Sequence, residues 1–477
     1  MTSTAKVVTV VALLGASLSA FAPAQAEPAA VESCRELPGG LLGCTTPTGT
    51  HVTELSTLAA RDGNIYVGLA ASGGSSVLRS TDGGSSFHRT APNGLTSAGM
   101  GWIVEDEETG RLIASSLEST PTCPVGDRVT YSDDQGDSWH LSPSLFCGTS
   151  DLGKSFVGKP RTDEDRAALQ AAGYPNVIYH CAGGTGQTRT CFKSLDGANT
   201  FQSLGIILSS LDCKVEASVD PIPFFQGQAV VDPEGVIYAV TNLCGKASLI
   251  VSRDDGQTWD KTFIPDVQMR AYMNPLSGQH PGFDNNGGYG SRPQQPVRSI
   301  VGEAVSQAYL WQPLQLDSAG NLYLAYTDPA DGRPYLKIRR SGQQAWGEKI
   351  ELAPSEVGRA TNVNISVRDN GHLAIAYYGL EDLTTTNYDG YLGEMTNALT
   401  TPHLTTLAVS PGAPLLPNGA AEPTEYTTAD ITPDGTVVGA FARDTCVINE
   451  ASPLPQCDSE LMYDSTRFVG VVATIRH

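Results

Sequence analysis

What this 477-residue chain has little of narrows its class. Lysine and arginine total 30 against 51 aspartates and glutamates, a net charge of −21. Nucleic acids and anionic membrane surfaces select basic patches, so neither is an expected partner. The same far field disfavours an anionic substrate unless arginines cluster locally. Beyond the N-terminus no stretch is apolar for the ~20 residues a membrane-spanning helix needs. H-E-x-x-H and G-x-S-x-G are both absent, and the 8 histidines do not fall at metal-ligand spacing. No metal and no cofactor is therefore expected. Charged residues are only 17%, whereas glycine (50) and proline (30) are plentiful. That balance suits short strands joined by turns.

The one apolar run is N-terminal. Lys6 precedes an apolar segment over 7–21, and Ala24-Gln25-Ala26 supplies a small-x-small cleavage pattern. Residues 1–26 therefore read as a secretory signal, and the chain is expected to be extracellular. Ten cysteines in an exported chain read as disulfides. Pairing of sequence neighbours is expected: Cys34 with Cys44, Cys123 with Cys147, Cys181 with Cys191, Cys213 with Cys244, and Cys446 with Cys457. Cys181–Cys191 and Cys446–Cys457 are favoured because each pair flanks an expected hairpin loop. Residues 27–50 form an N-terminal disulfide-linked segment, and 51–477 a single domain.

Two repeats run through that domain in phase. The first is S-x-D-x-G-x-[ST]-[WF]. It occurs over 80–87 (STDGGSSF), 132–139 (SDDQGDSW) and 252–259 (SRDDGQTW), and over 194–201 (SLDGANTF) with its glycine one place early. Its aspartates Asp82, Asp134, Asp196 and Asp254 lie 52, 62 and 58 residues apart. The chemistry is that of a hairpin turn. Aspartate accepts backbone N–H groups, glycine supplies a positive φ, and the aromatic residue buries its ring at the next strand. These aspartates are structural, not catalytic.

The second repeat is a D-G turn leading into a β-rich run. It appears seven times, over 62–67, 109–113, 175–179, 232–238, 317–323, 369–375 and 433–438. In the first four units a further apolar strand ends in the S-x-D turn. Each unit thus reads as four antiparallel strands. Later units keep the strands and lose the motif: 336–346 is a shortened remnant, and 391–395 and 461–464 read as third strands. Seven such units predict an all-β, seven-bladed β-propeller, with six blades as the alternative. Ring closure is expected to pair 470–475 with residues near 51–58. One helix is expected, over 162–172, with Thr162 as N-cap and Gly173 as stop.

The S-x-D-x-G-x-[ST]-[WF] unit is the Asp box, or BNR repeat, and on it the chain resembles the sialidase superfamily of β-propellers. The blade pattern extends the resemblance over most of the chain, and the motif covers blades one to four. The resemblance implies a glycan partner and, for an enzyme, a retaining hydrolase with a Tyr nucleophile activated by Glu, an Asp acid/base and a clamp of arginines. The first of those arginines usually lies in an R-I-P motif. None occurs here, and the first inner strand, within 52–60 (VTELSTLAA), carries no arginine. The expected function is a secreted propeller that binds a glycan as a monomer, with hydrolysis of a terminal glycoside as its enzymatic form. A non-catalytic binding or assembly propeller is the alternative.

Both turn types occupy one face of such a ring, so a ligand is expected on the other. The longest connection there, 264–303, mixes aromatics, amides, carboxylates and arginines. It supplies the candidate catalytic residues Asp284, Tyr289 and Glu303, and the candidate binding residues Arg270, Tyr272, Arg292 and Arg298. Glu216, ahead of the fourth inner strand, is a further catalytic candidate. Arg443, His180, Tyr326 and Tyr378 lie on second strands facing the same side, with Arg443 as the binding candidate among them. Residues 148–155 (GTSDLGKS) match a P-loop in letters only, because an extended, proline-terminated run follows where a helix is needed. The Asp boxes lack the ligand order and closing Glu of a calcium loop.

Overall fold

The computed structural model describes residues 32–52, 54–70, 76–90, 102–184, 188–209, 229–243, 246–268, 313–328, 330–384, 387–416, 427–445 and 468–477. Twenty-nine strands and one α-helix are described, and the strands form seven sheets. The first two strands are β1 (Ser33–Glu36) and β2 (Leu42–His51). Blade 1 is β3–β6 (Glu54–Ala59, Ile65–Ala70, Ser76–Ser80, His88–Thr90), and blade 2 is β7–β10 (Trp102–Asp106, Arg111–Thr120, Cys123–Ser132, His140–Cys147). Blade 3 is β11–β14 (Thr149–Gly158, Val177–Gly184, Thr188–Ser194, Gln202–Ser209), with the helix α1 (Asp163–Ala172) between its first two strands. Blade 4 is β15–β18 (Val230–Val231, Ile237–Leu243, Lys246–Ser252, Asp260–Gln268). Blade 5 is β19–β22 (Leu314–Leu316, Leu322–Thr327, Pro334–Arg339, Ile350–Glu351). Blade 6 is β23–β26 (Arg359–Arg368, His372–Leu380, Asp389–Thr396, His403–Ala408). β27 (Thr428–Ile431), β28 (Val437–Asp444) and β29 (Phe468–Arg476) begin blade 7.

Every described strand pairing is antiparallel, and within blades 1–6 the order across the sheet follows the chain. The first strands touch in a closed circuit: β3 with β7, β7 with β11, then β15, β19, β23, β27 and back to β3. The fold is therefore a seven-bladed β-propeller, and the six-bladed alternative is excluded. All seven D-G segments sit where the first strand of a blade turns into the second. The four S-x-D turns join third to fourth strands, at the same end of the blades.

Ring closure differs from the sequence expectation in register. β29 pairs with β28 on one side and with β2 on the other, where Leu42–Pro47 match Val471–Arg476 and His51 matches Val469. Residues 54–59 instead form the inner strand of blade 1. The D-G turn at 62–63 needs an inner strand immediately before it, so the closing strand must come from upstream. The third strand of blade 7 is β29; residues 461–464 lie outside the described residues. Residues 1–26, Cys213, Cys244, Cys446 and Cys457 lie outside them as well.

Three of the expected disulfides are present. Cys34–Cys44 and Cys181–Cys191 cross-link directly opposed residues of adjacent strands, and Cys123–Cys147 ties β9 to the end of β10. Apolar layers fill the spaces between blades. One joins Val67, Leu392, Phe441 and Val472 of blades 1, 6 and 7, and another joins Ile113, Tyr179, Ile237 and Ile250 of blades 2, 3 and 4. Each such side chain contributes about 1.5–3 kcal/mol on burial. Among the described residues no helix is long and apolar enough to cross a membrane.

The S-x-D turns explain their own sequence. In blade 2, Ser132 Oγ donates to Asp134 Oδ1 at 2.8 Å and accepts the Gly136 N–H at 2.8 Å. Asp134 then accepts the Ser138 N–H at 2.8 Å and the Ser138 hydroxyl at 2.5 Å. The same four bonds recur around Asp82, Asp196 and Asp254 at 2.5–2.9 Å. The hydroxyl and backbone bonds from Ser138 hold the Asp134 carboxyl down at about 2. Each turn has two successive residues at positive φ. The displaced glycine of blade 3 therefore takes the first of these positions, and Ala198 takes the second at φ 75°.

Neighbouring blades are locked through the same turns. Tyr66 of blade 1 and the Arg79 guanidinium both donate to the Gln135 carbonyl in the blade 2 turn, at 3.1 and 2.7 Å. The extra aspartate of blade 4, Asp255, is fully buried and accepts from Arg161 N, Thr162 N, Thr162 Oγ1 and Tyr179 Oη. That fixes the start of α1, where Thr162 also caps the Asp165 N–H at 3.3 Å and Gly173 ends the helix at φ 74°.

Candidate functional site

The face opposite the turns is formed by the ends of second and fourth strands and the starts of first and third strands. In blade 6 those positions gather ionisable groups. β24 is buried on both sides, and Glu381 follows its last residue, Leu380. Asp389 begins β25 opposite Gly379, and Ser410 lies just past β26. The packing beneath is specific. Tyr377 and Tyr391 stack with ring centroids 5.2 Å apart and planes 6° from parallel. A Cβ on Gly379 would lie 2.6 Å from the Tyr391 ring, so only glycine lets that ring settle there. Blade 7 is held against this sheet by Tyr378, whose hydroxyl accepts the Ala442 N–H at 2.8 Å.

The Tyr391 hydroxyl donates to Glu381 Oε1 at 2.5 Å. Burial, and then the Glu381 charge, push the Tyr391 phenol far above its ordinary value, so it stays protonated as a donor. Asp389 accepts the Gly390 N–H at 2.8 Å on Oδ1 and the Ser410 N–H at 3.0 Å on Oδ2. Burial nevertheless raises its pKa to about 6, and the Glu381 charge adds to that; the backbone bonds and the Arg443 charge oppose it. Arg443, on β28 of blade 7, donates from Nη2 to Ser410 Oγ at 2.7 Å. The group therefore spans two blades. It presents the Glu381 carboxylate, Ser410 and the Arg443 guanidinium over the buried Tyr391 ring and the buried Asp389 carboxyl.

Blade 5 presents a similar set at the same face. Tyr335 donates to Asp331 Oδ2 at 2.7 Å, and Lys349 binds Asp328 Oδ2 at 2.8 Å while lying 3.9 Å above the Tyr335 ring. Arg333 bonds Glu351 and the Pro354 and Val357 carbonyls, which orders the connection into blade 6. Tyr326 packs 6.1 Å from Tyr335 and is buried, with no hydrogen-bond partner for its hydroxyl among the described residues.

Of the sequence-derived candidates, Arg443 falls in this group. Asp284, Tyr289, Glu303, Glu216, Arg270, Tyr272, Arg292 and Arg298 lie outside the described residues. The described start of the 264–303 segment, 264–268, continues β18. Asp389, Glu381, Tyr391 and Ser410 were not singled out from the sequence. The signal available was Tyr388-Asp389-Gly390-Tyr391, an acid between aromatics at the mouth of a third strand.

His180 is interior. Its Nδ1 lies 3.1 Å from Ser155 Oγ and its Nε2 3.6 Å from Asp127 Oδ2. These are the residue types of a hydrolytic triad, but all three are buried and Phe146 stacks on the imidazole at 4.7 Å. No substrate reaches them, so the trio serves the blade 2–blade 3 interface. The match to a P-loop ends similarly, because Thr149–Gly158 is a strand. An open depression between the last and first blades, lined by Arg61, Asp62, Thr432 and Asp434 among others, lies on the turn face. There Asp62 and Asp434 are engaged by their own turns, accepting Asn64 N–H and Thr436 N–H.

No family model matches the chain, and no curated protein matches it. Solved structures do. YCF48 from Cyanidioschyzon merolae is 11% identical over 94% of this chain and 98% of its own, with a TM-score of 0.44. A Hadza microbial sialidase is 15% identical over 81% of this chain and 65% of its own, with a TM-score of 0.37. A lectin from Aleuria aurantia is 8% identical over 75% of this chain and 97% of its own, with a TM-score of 0.39. At these values the likeness does not extend to chemistry, and the assignment of the fold rests on the strand ladders themselves.

Proposed function

We propose that this chain is an exported propeller of the Asp-box, sialidase-like kind that binds a glycan on the face opposite its turns. The observation that carries the reading is the group Glu381, Ser410 and Arg443 across blades 6 and 7, positioned by the buried Tyr391 and Asp389. Sugar recognition uses a few convergent polar groups. Carboxylate and guanidinium offer acceptors and donors to vicinal hydroxyls. The set Tyr335, Asp331 and Lys349 extends the same chemistry over blade 5. The sequence-derived candidates Tyr272, Tyr289, Arg270, Arg292 and Arg298 offer the same chemistry of rings and hydroxyl-binding guanidiniums. The acidic surface selects a neutral glycan unless those arginines gather.

The hydrolytic form of this reading would use Asp389, whose carboxyl burial pushes up to about 6, as a general acid at mildly acidic pH. In this reading Asp284, Glu303 or Glu216 supplies the second carboxylate. The experiment is a glycan array probed with the purified chain, run beside a panel of chromogenic glycosides that includes a sialoside. Array binding with turnover that is lost in Asp389→Asn supports the hydrolase. Array binding with no turnover on any glycoside leaves a lectin-like binding propeller. A blank array with no turnover overturns the glycan reading.

A further inference from the structure

Histidine spacing in the sequence gives no hint of a metal site, yet the fold assembles a group with the composition of one. His372 opens β24, Glu394 lies on β25, and His477 follows β29. Glu394 is 3% exposed, His372 is partly buried and His477 half-exposed. His372 Nε2 lies 2.7 Å and His477 Nε2 3.0 Å from the same oxygen, Glu394 Oε1. All three ligand atoms fall within 4.8 Å of one another. The imidazoles meet edge to face, with centroids 6.5 Å apart, so their nitrogens converge without the rings stacking.

We propose that His372, Glu394 and His477 form a binding site for a divalent transition metal of the zinc class, fastening the ring-closing strand β29 to blade 6. Two imidazole nitrogens and one carboxylate oxygen are a ligand set zinc accepts, with water completing a tetrahedron. Zinc holds such ligands at about 2.0–2.2 Å, which places neighbouring ligand atoms roughly 3.3 Å apart. The observed 2.7 and 3.0 Å separations need only small side-chain rotations to reach that. Without an ion, both nitrogens must present N–H to a single oxygen. With one, the ion replaces those two protons and meets the buried carboxylate directly.

Placement gives the site its consequence. Blade 7 is the sheet built from both ends of the described chain, and β29 is the strand common to both halves. A metal bound by β24, β25 and the residue after β29 adds a bond between blades at the point where the ring is closed. It binds the folded ring and not the unfolded chain, so it raises stability by mass action. The site lies on the turn face, away from the proposed glycan group, and does not depend on it.

The test uses the full chain with any affinity tag removed. Zinc chloride is titrated into EDTA-treated, dialysed protein by calorimetry, and thermal unfolding is followed with and without zinc. One zinc per chain and a rise in Tm of several degrees are expected. His477→Ala and Glu394→Gln should each weaken binding at least 10-fold and abolish the rise. Near-UV circular dichroism without metal checks that both variants are folded; His477→Ala removes a half-exposed side chain, so it keeps the test open if Glu394→Gln does not fold. Cobalt(II) should give tetrahedral visible bands in the wild type only. Absence of saturable zinc binding, or equal binding by wild type and His477→Ala, overturns the proposal and leaves a hydrogen-bonded clamp.

Discussion

Asp430, on the inner strand of the last blade, accepts the backbone N–H of Ala59, on the inner strand of the first, at 2.8 Å. Its other oxygen takes the Ser366 hydroxyl from blade 6 at 2.7 Å. One carboxyl thus joins the three blades around the closure. Thr428 supports it, with Oγ1 accepting the Thr57 N–H and its carbonyl accepting the Thr57 hydroxyl.

Asp430→Ala should be strongly destabilising. It leaves the Ala59 N–H and the Ser366 hydroxyl without their acceptor in an enclosed site. The cost of such a loss is about 3 kcal/mol. Urea unfolding of the variant should show that fall in the free energy extrapolated to water, as a lower midpoint with an unchanged m-value. A change within experimental scatter would mean that β2 pairing alone closes the ring.

A gain is expected at Gln135. It sits exposed at the first positive-φ position of the blade 2 turn, with φ 61°, and in the corresponding turn of blade 1 the residue is Gly83 at φ 69°. A side chain there costs about 1 kcal/mol relative to glycine. Its carbonyl, which Tyr66 and Arg79 use, is unaffected by substitution. Gln135→Gly should raise the unfolding free energy by up to ~1 kcal/mol, read by thermal or urea unfolding. A loss of stability would place the strain elsewhere.

Asp389 gives a pH dependence of known sign. Burial lifts its carboxyl from 3.8 to about 6 in the folded chain. The folded state therefore binds the proton more tightly than the unfolded one. The stability this contributes is full below pH 3.8 and is lost as pH rises through about 6. At 1.36 kcal/mol per pH unit the loss is roughly 3 kcal/mol. Asp389→Asn cannot ionise, so the fall in unfolding free energy between pH 4 and 7 should shrink by about that amount. Parallel pH profiles for variant and wild type would show that Asp389 ionises normally.

The turns were legible in the sequence because their chemistry is local. Ser132, Asp134, Gly136 and Ser138 make all four bonds of their hairpin within seven residues, so the letters alone specify the conformation. The seven D-G turns carried the blade count for the same reason. Closure was half legible: 470–475 was expected to close the ring, but its partner over 42–47 was not. β2 meets β29 across more than 400 residues, and its sequence LGCTTPTGTH shows no alternation to mark a closing strand. The group in blade 6 was half legible. Arg443 stood out as a charge ending an apolar second strand. Asp389 and Glu381 gain their character from burial against Tyr391 and from a neighbouring blade, neither of which a linear reading contains. The histidine pair around Glu394 is the same case, since His372 and His477 are brought together only when the ring shuts.

A ligand identified on the array should be titrated by calorimetry into the wild type, Arg443→Ala and Tyr391→Phe. Saturable binding to the wild type, weakened at least 10-fold in Arg443→Ala and measurably in Tyr391→Phe, with all three proteins unfolding at similar temperatures, is the result predicted. Equal affinity for all three would contradict it and move the site off blades 6 and 7.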